Sequence, residues 1–412
     1  MIALNSLKLP NTLSTSPLAA RATMGLEASS GDAIDFSAAG VPPVGDWAAL
    51  AMAHNGLAAE ALPAQAYVWG AGGFGRSLAT RLRAAGVLIL GFIDRSPELR
   101  HGTVQGAPCF APEEFLGFER KPVLIGVHNF AADLRAIYAS LRAAGFDVWN
   151  PSRVWRAAGA QNLGWPDAFW LNFPFWGHEE LPVALDRARQ AFELLGDQAS
   201  QSVFWGELCA RALGMEHLRA ASEPGQYAPK SLPRWPEPVR LIDAGAFNGD
   251  TLRFFAKEGI RMGQVACFEP DLGNFAALAS TLPEGLDAIC LPLGVSDTAK
   301  TLRFRFDGAA SSRQSEGGEA IVQCVGLDQA LPKFAPTLVK MDIEGAELDA
   351  LNGARALIAE FQPALAVSAY HTPDHLWNVL LLLHELAPDH TLHLRAHAHN
   401  GFDTVAYALP RG

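Results

Sequence analysis

Along most of the chain, short apolar runs of strand length alternate with longer stretches whose apolar residues recur at helical spacing. A first set of strands is expected at 66–69, 87–93, 123–127 and 146–149, with helices at 76–85 and 131–143 between them. A second set comprises the run ending at Ile242, then 264–268, the run at Leu291, 337–341 and 364–369. Helices open at Asp250 and span 272–280 within that set. Strands alternating with helices predict parallel sheets and an α/β fold class.

Between the two sets the pattern changes. Residues 152–236 hold Trp155, Trp165, Trp170, Trp176, Trp205 and Trp235, with helices expected at 179–195 and 198–213. A proline-rich stretch, 223–238, reads as a semi-rigid linker. These aromatics suit packing between domains, or, for Trp170, Phe173, Phe175 and Trp176, the walls of an acceptor pocket. A helix is expected at 47–57. Residues 1–45, rich in Ser, Thr, Ala, Gly and Pro, read as a mobile or loosely docked tail. The expected division is therefore a tail at 1–45, a Rossmann-like nucleotide-binding unit at 46–151, a Trp-rich helical connector at 152–236 and a second α/β domain at 237–412.

Composition narrows the function classes. The 412 residues carry a formal net charge of -11 and no basic run, which speaks against nucleic acid as a partner. The five cysteines are scattered without C-x-x-C spacing and read as reduced thiols of a cytoplasmic protein. No apolar run approaches the length of a membrane span, and the N-terminus has no compact apolar core typical of a secretory signal. Oligomeric state is not legible.

Two glycine loops carry candidate chemistry. Gly70-x-Gly72-x-x-Gly75 lies between a strand and a helix, and Asp94 closes the following strand. That is the context of a dinucleotide fingerprint, with Asp94 on a ribose diol. NAD or a related nucleotide is a possible ligand there, and this unit resembles the small Rossmann-like domains at the start of sugar-modifying enzymes and epimerases. It is only half of a dinucleotide fold, however, and no Tyr-x-x-x-Lys accompanies it. In the second loop a strand ends in Asp243, Gly245 and Gly249 form the turn, and a second strand ends in Glu269. The glycines let backbone approach a nucleoside and Glu269 can accept from both ribose hydroxyls. Asp243 would repel a pyrophosphate but suits a cationic amino acid group, which favours S-adenosylmethionine over NAD.

The blocks Asp243-Ala-Gly-Ala-Phe-Asn-Gly-Asp-Thr251, Phe268-Glu-Pro270, Leu293-Gly-Val-Ser-Asp297, Lys340-Met-Asp-Ile-Glu-Gly-Ala-Glu347 with Leu351-Asn-Gly-Ala354, and Ala369-Tyr-His371 occur in that order. With a closing segment from Leu394-Arg395 to Thr404-Val-Ala-Tyr407, they resemble the FkbM family of S-adenosylmethionine-dependent methyltransferases over roughly 237 to 410. The resemblance implies a Rossmann-like methyltransferase domain with a mixed seven-stranded sheet. It implies cofactor contacts from Asp243, Gly245, Ala246, Gly249, Asp250, Thr251, Glu269 and Pro270, and a base pocket lined by Gly294, Val295 and Ser296 or Asp297. It further implies a serine-bearing loop at Ser311-Ser312.

Asp342 ends the fourth strand of this domain, Glu344 follows it, and His371 stands at the tip of the next strand, so the three can converge on one rim. His371, near an ordinary pKa of ~6.5, or Asp342 is the expected base, with Glu344 orienting the acceptor. Glu347 is expected to cap the next helix. A divalent cation is the competing explanation of the same residues, and no metal is expected. His390, His393, His397 and His399 read as structural, and Arg395 as a possible acceptor contact. The expected activity is O-methylation of a hydroxyl on a sugar, glycoconjugate precursor or similar metabolite. The rivals are an NAD-dependent nucleotide-sugar enzyme working at the first loop and a non-catalytic module that retains S-adenosylmethionine.

Overall fold

The computed structural model describes residues 42–57, 60–127, 131–158, 180–306, 312–314 and 320–411. Residues 1–41, the aromatics Trp165, Trp170, Phe173, Phe175 and Trp176, and Ser311 lie outside the described residues.

After helix α1 (Trp47–Asn55) comes a first sheet of β1 (Gln65–Trp69), β2 (Leu88–Ile93), β3 (Thr103–Val104), β4 (Ala107–Phe110), β5 (Val123–Ile125) and β6 (Val148–Trp149). Its order is β3-β4-β2-β1-β5-β6. Every pairing is parallel except that of β3 with β4, so an antiparallel hairpin edge adds to the parallel sheet expected from the sequence. Helix α2 (Gly73–Ala84) follows the first glycine loop, and α3 (Leu134–Ala143) begins behind an Asp133 cap that accepts from Ala136 N. Asp at that position satisfies one of the amides a helix start leaves unpaired.

Helices α4 (Pro151–Ala158), α5 (Leu181–Glu193) and α6 (Gln198–Leu213) lead to the second sheet. Its central strands are β7 (Val239–Ala244), β8 (Met262–Phe268) and β9 (Asp287–Leu291), joined by α7 (Asp250–Lys257) and α8 (Leu272–Ser280). A small four-stranded sheet not foreseen from the sequence interrupts the pattern: β10 (Gly294–Val295), β11 (Lys300–Phe306), β12 (Ser312–Gln314) and β13 (Ala320–Val325). The chain returns through β14 (Leu338–Met341), α9 (Glu347–Asn352), α10 (Arg355–Phe361), β15 (Ala364–Ser368), α11 (His375–Leu386), β16 (His390–Ala396) and β17 (Thr404–Pro410). The seven strands order as β16-β17-β15-β14-β7-β8-β9, with β7, β8, β9, β14 and β15 parallel and β17 antiparallel to both of its neighbours, β15 and β16. The mixed seven-stranded sheet expected for this half is therefore present. After β7 the chain moves one way to β8 and β9, then returns to β14 on the other side. That reversal opens a crevice at the carboxyl ends of β7 and β14, where ligands of such sheets bind.

The core explains why α5 and α6 sit on this sheet. Ala188, Phe192, Trp205 and Leu208 share one hydrophobic cluster with Trp377, Leu380, Leu392 and Leu394. Trp205 is fully buried, donates Nε1–H to Pro42 O at 3.1 Å and meets Trp47 edge-on at 5.0 Å. Asp197 caps α6 through Ser200 N at 2.7 Å and also holds His393 Nδ1 at 2.6 Å and Arg395 at 2.9 Å. Arg395, read from the sequence as an acceptor contact, is thus buried. It is committed to Asp197, Ser200 and Ser231 because the connector covers that edge of the sheet. Among the described residues no helix is long and apolar enough to cross a membrane, and the five cysteines are free thiols.

Candidate active site at the strand tips

Asp243, next to last in β7, is fully buried. Its counter-charge is Lys340 of the adjacent β14, with Nζ 2.9 Å from Oδ1; the ammonium also donates to Gly245 O at 2.5 Å. Burial pushes Asp243 up to about 6. Burial pulls Lys340 the other way, yet Asp243, Asp342 and Asp250 hold it charged, well above its ordinary value. Beyond that ion pair neither Asp243 oxygen has a hydrogen bond among the described residues, and Asp250 Oδ1 at the start of α7 is likewise buried without one.

The loop between them follows from its residues. Gly245 stands at φ 75°, and a Cβ there would run into Asp342 O, so this position requires glycine. Gly245 N and Ala246 N both donate to Phe268 O at 3.0 Å. Glu269, at the tip of β8, accepts from Phe247 N and Asp271 N at 2.9 Å each, one per oxygen. Each oxygen keeps a second lone pair. Gly249, at φ 80°, caps α7, and Thr251 is buried behind it. Pro270 follows Glu269 at the turn into α8. Val295 and Ser296 are buried where β10 meets β13; Ser296 N donates to Val325 O, and Asp297 is held by Lys300 at 2.7 Å.

On the other side of the crevice the structure brings Asp342, Glu344 and His371 together. His371 Nε2 lies 3.4 Å from Asp342 Oδ1 and 3.8 Å from Glu344 Oε2. Asp342 is anchored at both oxygens, by Ser368 Oγ at 2.9 Å and Tyr227 OH at 2.7 Å. Burial raises Asp342, but Lys340 and His371 outweigh it and hold the carboxyl below its usual range. Glu344 takes a left-handed backbone (φ 58°) and its side chain is 28% exposed, the most open of the three. Glu347, expected only as a helix cap, does cap: it accepts from Ile343 N at 2.9 Å and Gly345 N at 3.1 Å. It also grips His371 Nδ1 at 2.8 Å and lies 3.3 Å from His375. Burial pulls His371 down, yet Glu347, Glu344 and Asp342 together hold it at about 9. The ordinary value assumed from the sequence is therefore corrected: at neutral pH the ring of the unliganded protein carries its proton.

Three contributors had no sequence signal. Tyr227 arrives from the proline-rich linker, held at φ 69° by Tyr407 OH on its amide and Trp235 Nε1 on its carbonyl. Ser368 is the last residue of an apolar strand. Asp403, in the turn before β17, is raised to about 6 by burial and by Asp342.

The first loop is also formed. Gly70 is at φ 105°, Gly75 packs against the Gly70 carbonyl, and Gly72 and Gly73 face open space. Asp94 accepts one amide on each oxygen, from Ala71 N at 2.7 Å and Ser96 N at 2.8 Å. A cavity of about 200 Å³ lies elsewhere, between α3, α4 and α6, lined by Glu60, Arg142, Asn150, Arg153, Arg156 and Leu213 among others. It borders neither loop.

Residues 243–403 match the family model described as Methyltransferase FkbM domain. The solved structure of Methyltransferase FkbM from Methylobacillus flagellatus KT superposes with a TM-score of 0.67 at 21% identity, covering 88% of this chain and 98% of that one. At that identity the likeness establishes the fold. No curated protein matches the chain.

Proposed function

Residues 243–403 form an FkbM methyltransferase domain, and from that premise we propose that the protein methylates a hydroxyl group with S-adenosylmethionine. The observation that carries this reading is the set of carboxylates around the Gly245–Gly249 loop: the buried Asp243, the buried Oδ1 of Asp250 with no hydrogen-bond partner among the described residues, and Glu269, which the loop holds through Phe247 N. Buried polar atoms without partners call for a ligand that supplies donors. An ammonium suits Asp243 and Asp250, and a ribose diol suits the remaining lone pairs of Glu269. Pyrophosphate suits neither. Gly245, Ala246, Gly249 and Thr251 would shape the loop around the cofactor, Pro270 would fix the turn, and Val295 and Ser296 would back the base.

The cofactor supplies a methyl group on a sulfonium, which transfers to oxygen as the hydroxyl proton leaves, giving a methyl ether and S-adenosylhomocysteine. The chain's own residues must align the hydroxyl and receive that proton. Asp342, pinned by Tyr227 and Ser368, fixes one wall. His371 is oriented by Glu347 and, being protonated, donates to the acceptor or to Asp342 until it releases that proton. Glu344, the most exposed of the set, is placed to take the hydroxyl proton. A sugar or glycoconjugate is the acceptor class we favour, in a cytoplasmic setting. We assign the chain a nucleotide-binding-like unit at 46–151, a connector at 152–236 and the methyltransferase domain at 237–412. Calorimetric titration with S-adenosylhomocysteine tests the cofactor site. Saturable binding to the wild type, lost in Glu269→Ala, is expected; no binding to either refutes the reading.

A second reading concerns the first loop alone. Gly72 and Gly73 leave the start of α2 open while Gly70 and Gly75 are tightly packed, which is the division of labour a phosphate-binding turn needs. A nucleotide or NAD-like ligand there would be a second, non-methylating site.

A further inference from the structure

All five cysteines of the chain are free thiols, and three of them, Cys109, Cys209 and Cys324, are alike in being buried. Burial pushes all three thiols up, Cys209 to about 12. Such sulfurs keep their protons and are inert. Cys267 and Cys290 differ, because β8 and β9 set them side by side. They are register partners in parallel strands, so both point to the same face of the sheet. Both pack in the cluster that holds Val265 and Leu278. Cys267 is 0% exposed, whereas Cys290 is only half-buried. β9 is the last strand of its sheet, and no described strand covers its outer edge. A hydrogen bond from the Cys267 thiol draws Cys290 down to about 7, against the opposing effect of burial. The same bond, together with burial, holds Cys267 far above its ordinary value, so the pair keeps its proton on Cys267.

We propose that Cys290 and Cys267 are a peroxide-responsive dithiol, with Cys290 as the attacking sulfur and Cys267 as the resolving one. A partly exposed thiolate beside a second, protonated thiol is the arrangement of a redox-sensing pair. The oxidant is hydrogen peroxide. The Cys290 thiolate attacks one peroxide oxygen and the O–O bond breaks, giving a sulfenic acid and hydroxide. The Cys267 sulfur then attacks the sulfenic sulfur; the S–O bond breaks, an S–S bond forms and water leaves. Both thiol hydrogens and both peroxide oxygens end as two waters, and the two sulfurs supply the two electrons. Neighbouring strands stand about 4.8 Å apart, within the Cα separation that a disulfide spans. The Cβ atoms must come to about 3.8 Å, so the bridge draws β9 toward β8 and stays reducible by a free thiol. Its effect falls on the cofactor loop. Phe268 follows Cys267, and its carbonyl accepts from Gly245 N and Ala246 N. Glu269 N donates to Leu291 O, one residue past Cys290. That consequence rests on the methyltransferase reading; the oxidation itself does not.

The test treats the reduced full chain with a small excess of hydrogen peroxide, alkylates the remaining thiols and maps the peptides by mass. The wild type should lose two hydrogens, with Cys267 and Cys290 joined in one peptide pair that dithiothreitol releases. Cys290→Ser should consume peroxide at least ~10-fold more slowly. Cys267→Ala should instead stop at a Cys290 sulfenic acid, which dimedone captures. A wild type that keeps all five thiols, or that bridges other cysteines, overturns the proposal. So does a Cys290→Ser variant that reacts as fast as the wild type. S-adenosylhomocysteine is then titrated into both forms, and the oxidised one should bind at least about fivefold more weakly. Equal affinity overturns the coupling to the cofactor loop. No binding to the reduced form would instead strike the methyltransferase reading and leave the disulfide standing.

Discussion

Lys340→Met probes the charge balance beneath the cofactor loop. Methionine keeps the aliphatic stem and removes the ammonium, which lies 2.9 Å from an Asp243 carboxylate that is 0% exposed. Without Lys340, Asp243 must take up a proton or remain as an unpaired buried charge, and protonation sets the ceiling on the cost. An acid of unfolded pKa ~3.9 kept neutral at pH 7 costs about 4 kcal/mol. Burial already holds Asp243 at about 6 in the wild type, which accounts for roughly 3 kcal/mol of that. The variant therefore loses a further ~1.4 kcal/mol at pH 7 and ~2.7 at pH 8. The lost charged hydrogen bond to Gly245 O adds about 1.5–3 kcal/mol at every pH. The sign follows from proton linkage. A carboxyl raised in the folded state contributes stability below its unfolded value and loses it as pH climbs through the folded one. Removing Lys340 moves that upper limit higher. Urea denaturation at pH 6, 7 and 8 should show a gap from wild type that widens with pH, reaching about 4–6 kcal/mol at pH 8. Adding Asp243→Asn should abolish the widening. A gap that is flat with pH, or one that still widens in the double variant, would refute the account.

Asp197→Asn keeps the helix cap, since Asn is as good an N-cap as Asp, and removes only the charge shared with His393 and Arg395. A loss of about 2 kcal/mol at pH 7 is expected. Burial works upward on Asp197, but His393, Arg395 and Ser200 hold it well below its ordinary value. Its contribution is thus present above ~pH 4 and disappears on acidification, so melting curves of the two proteins should converge below that pH. At the first loop, NAD titrated into the wild type should bind if the open start of α2 holds phosphate. Gly72→Asp should then abolish binding without lowering the melting temperature, and no heat from the wild type would remove that site.

The sequence made the β7–α7–β8 unit and α8 legible for a physical reason. Strands buried on both faces read as apolar runs, and a turn that must approach a ligand demands glycine. The convergence of Asp342, Glu344 and His371 was legible too, because parallel strands deliver their carboxyl ends to one rim. What could not be read was set by long-range contact. The proton on His371 depends on Glu347 folding back beneath it, which spacing alone does not disclose. Tyr227 sits in a linker whose prolines hide that its hydroxyl reaches Asp342. Arg395 looked available because strand alternation says nothing about a helix laid over the edge. The two-residue strands β3 and β10 are too short to leave a periodic signal.

The way the chain meets β16 bears on how the protein can be cut. Leu195 pairs with Leu392, Gly196 N donates to Leu392 O at 2.8 Å, and Ser200 Oγ accepts from Leu394 N at 3.0 Å. Residues far upstream of the matched family region thereby close the border of its sheet. A fragment begun at residue 237 would keep every strand yet present an uncapped β16, with free amides and carbonyls beside the exposed Leu392 and Leu394. Such a margin recruits other chains. The segment defined by homology and the segment able to stay soluble alone therefore have different beginnings, and the second begins no later than α5.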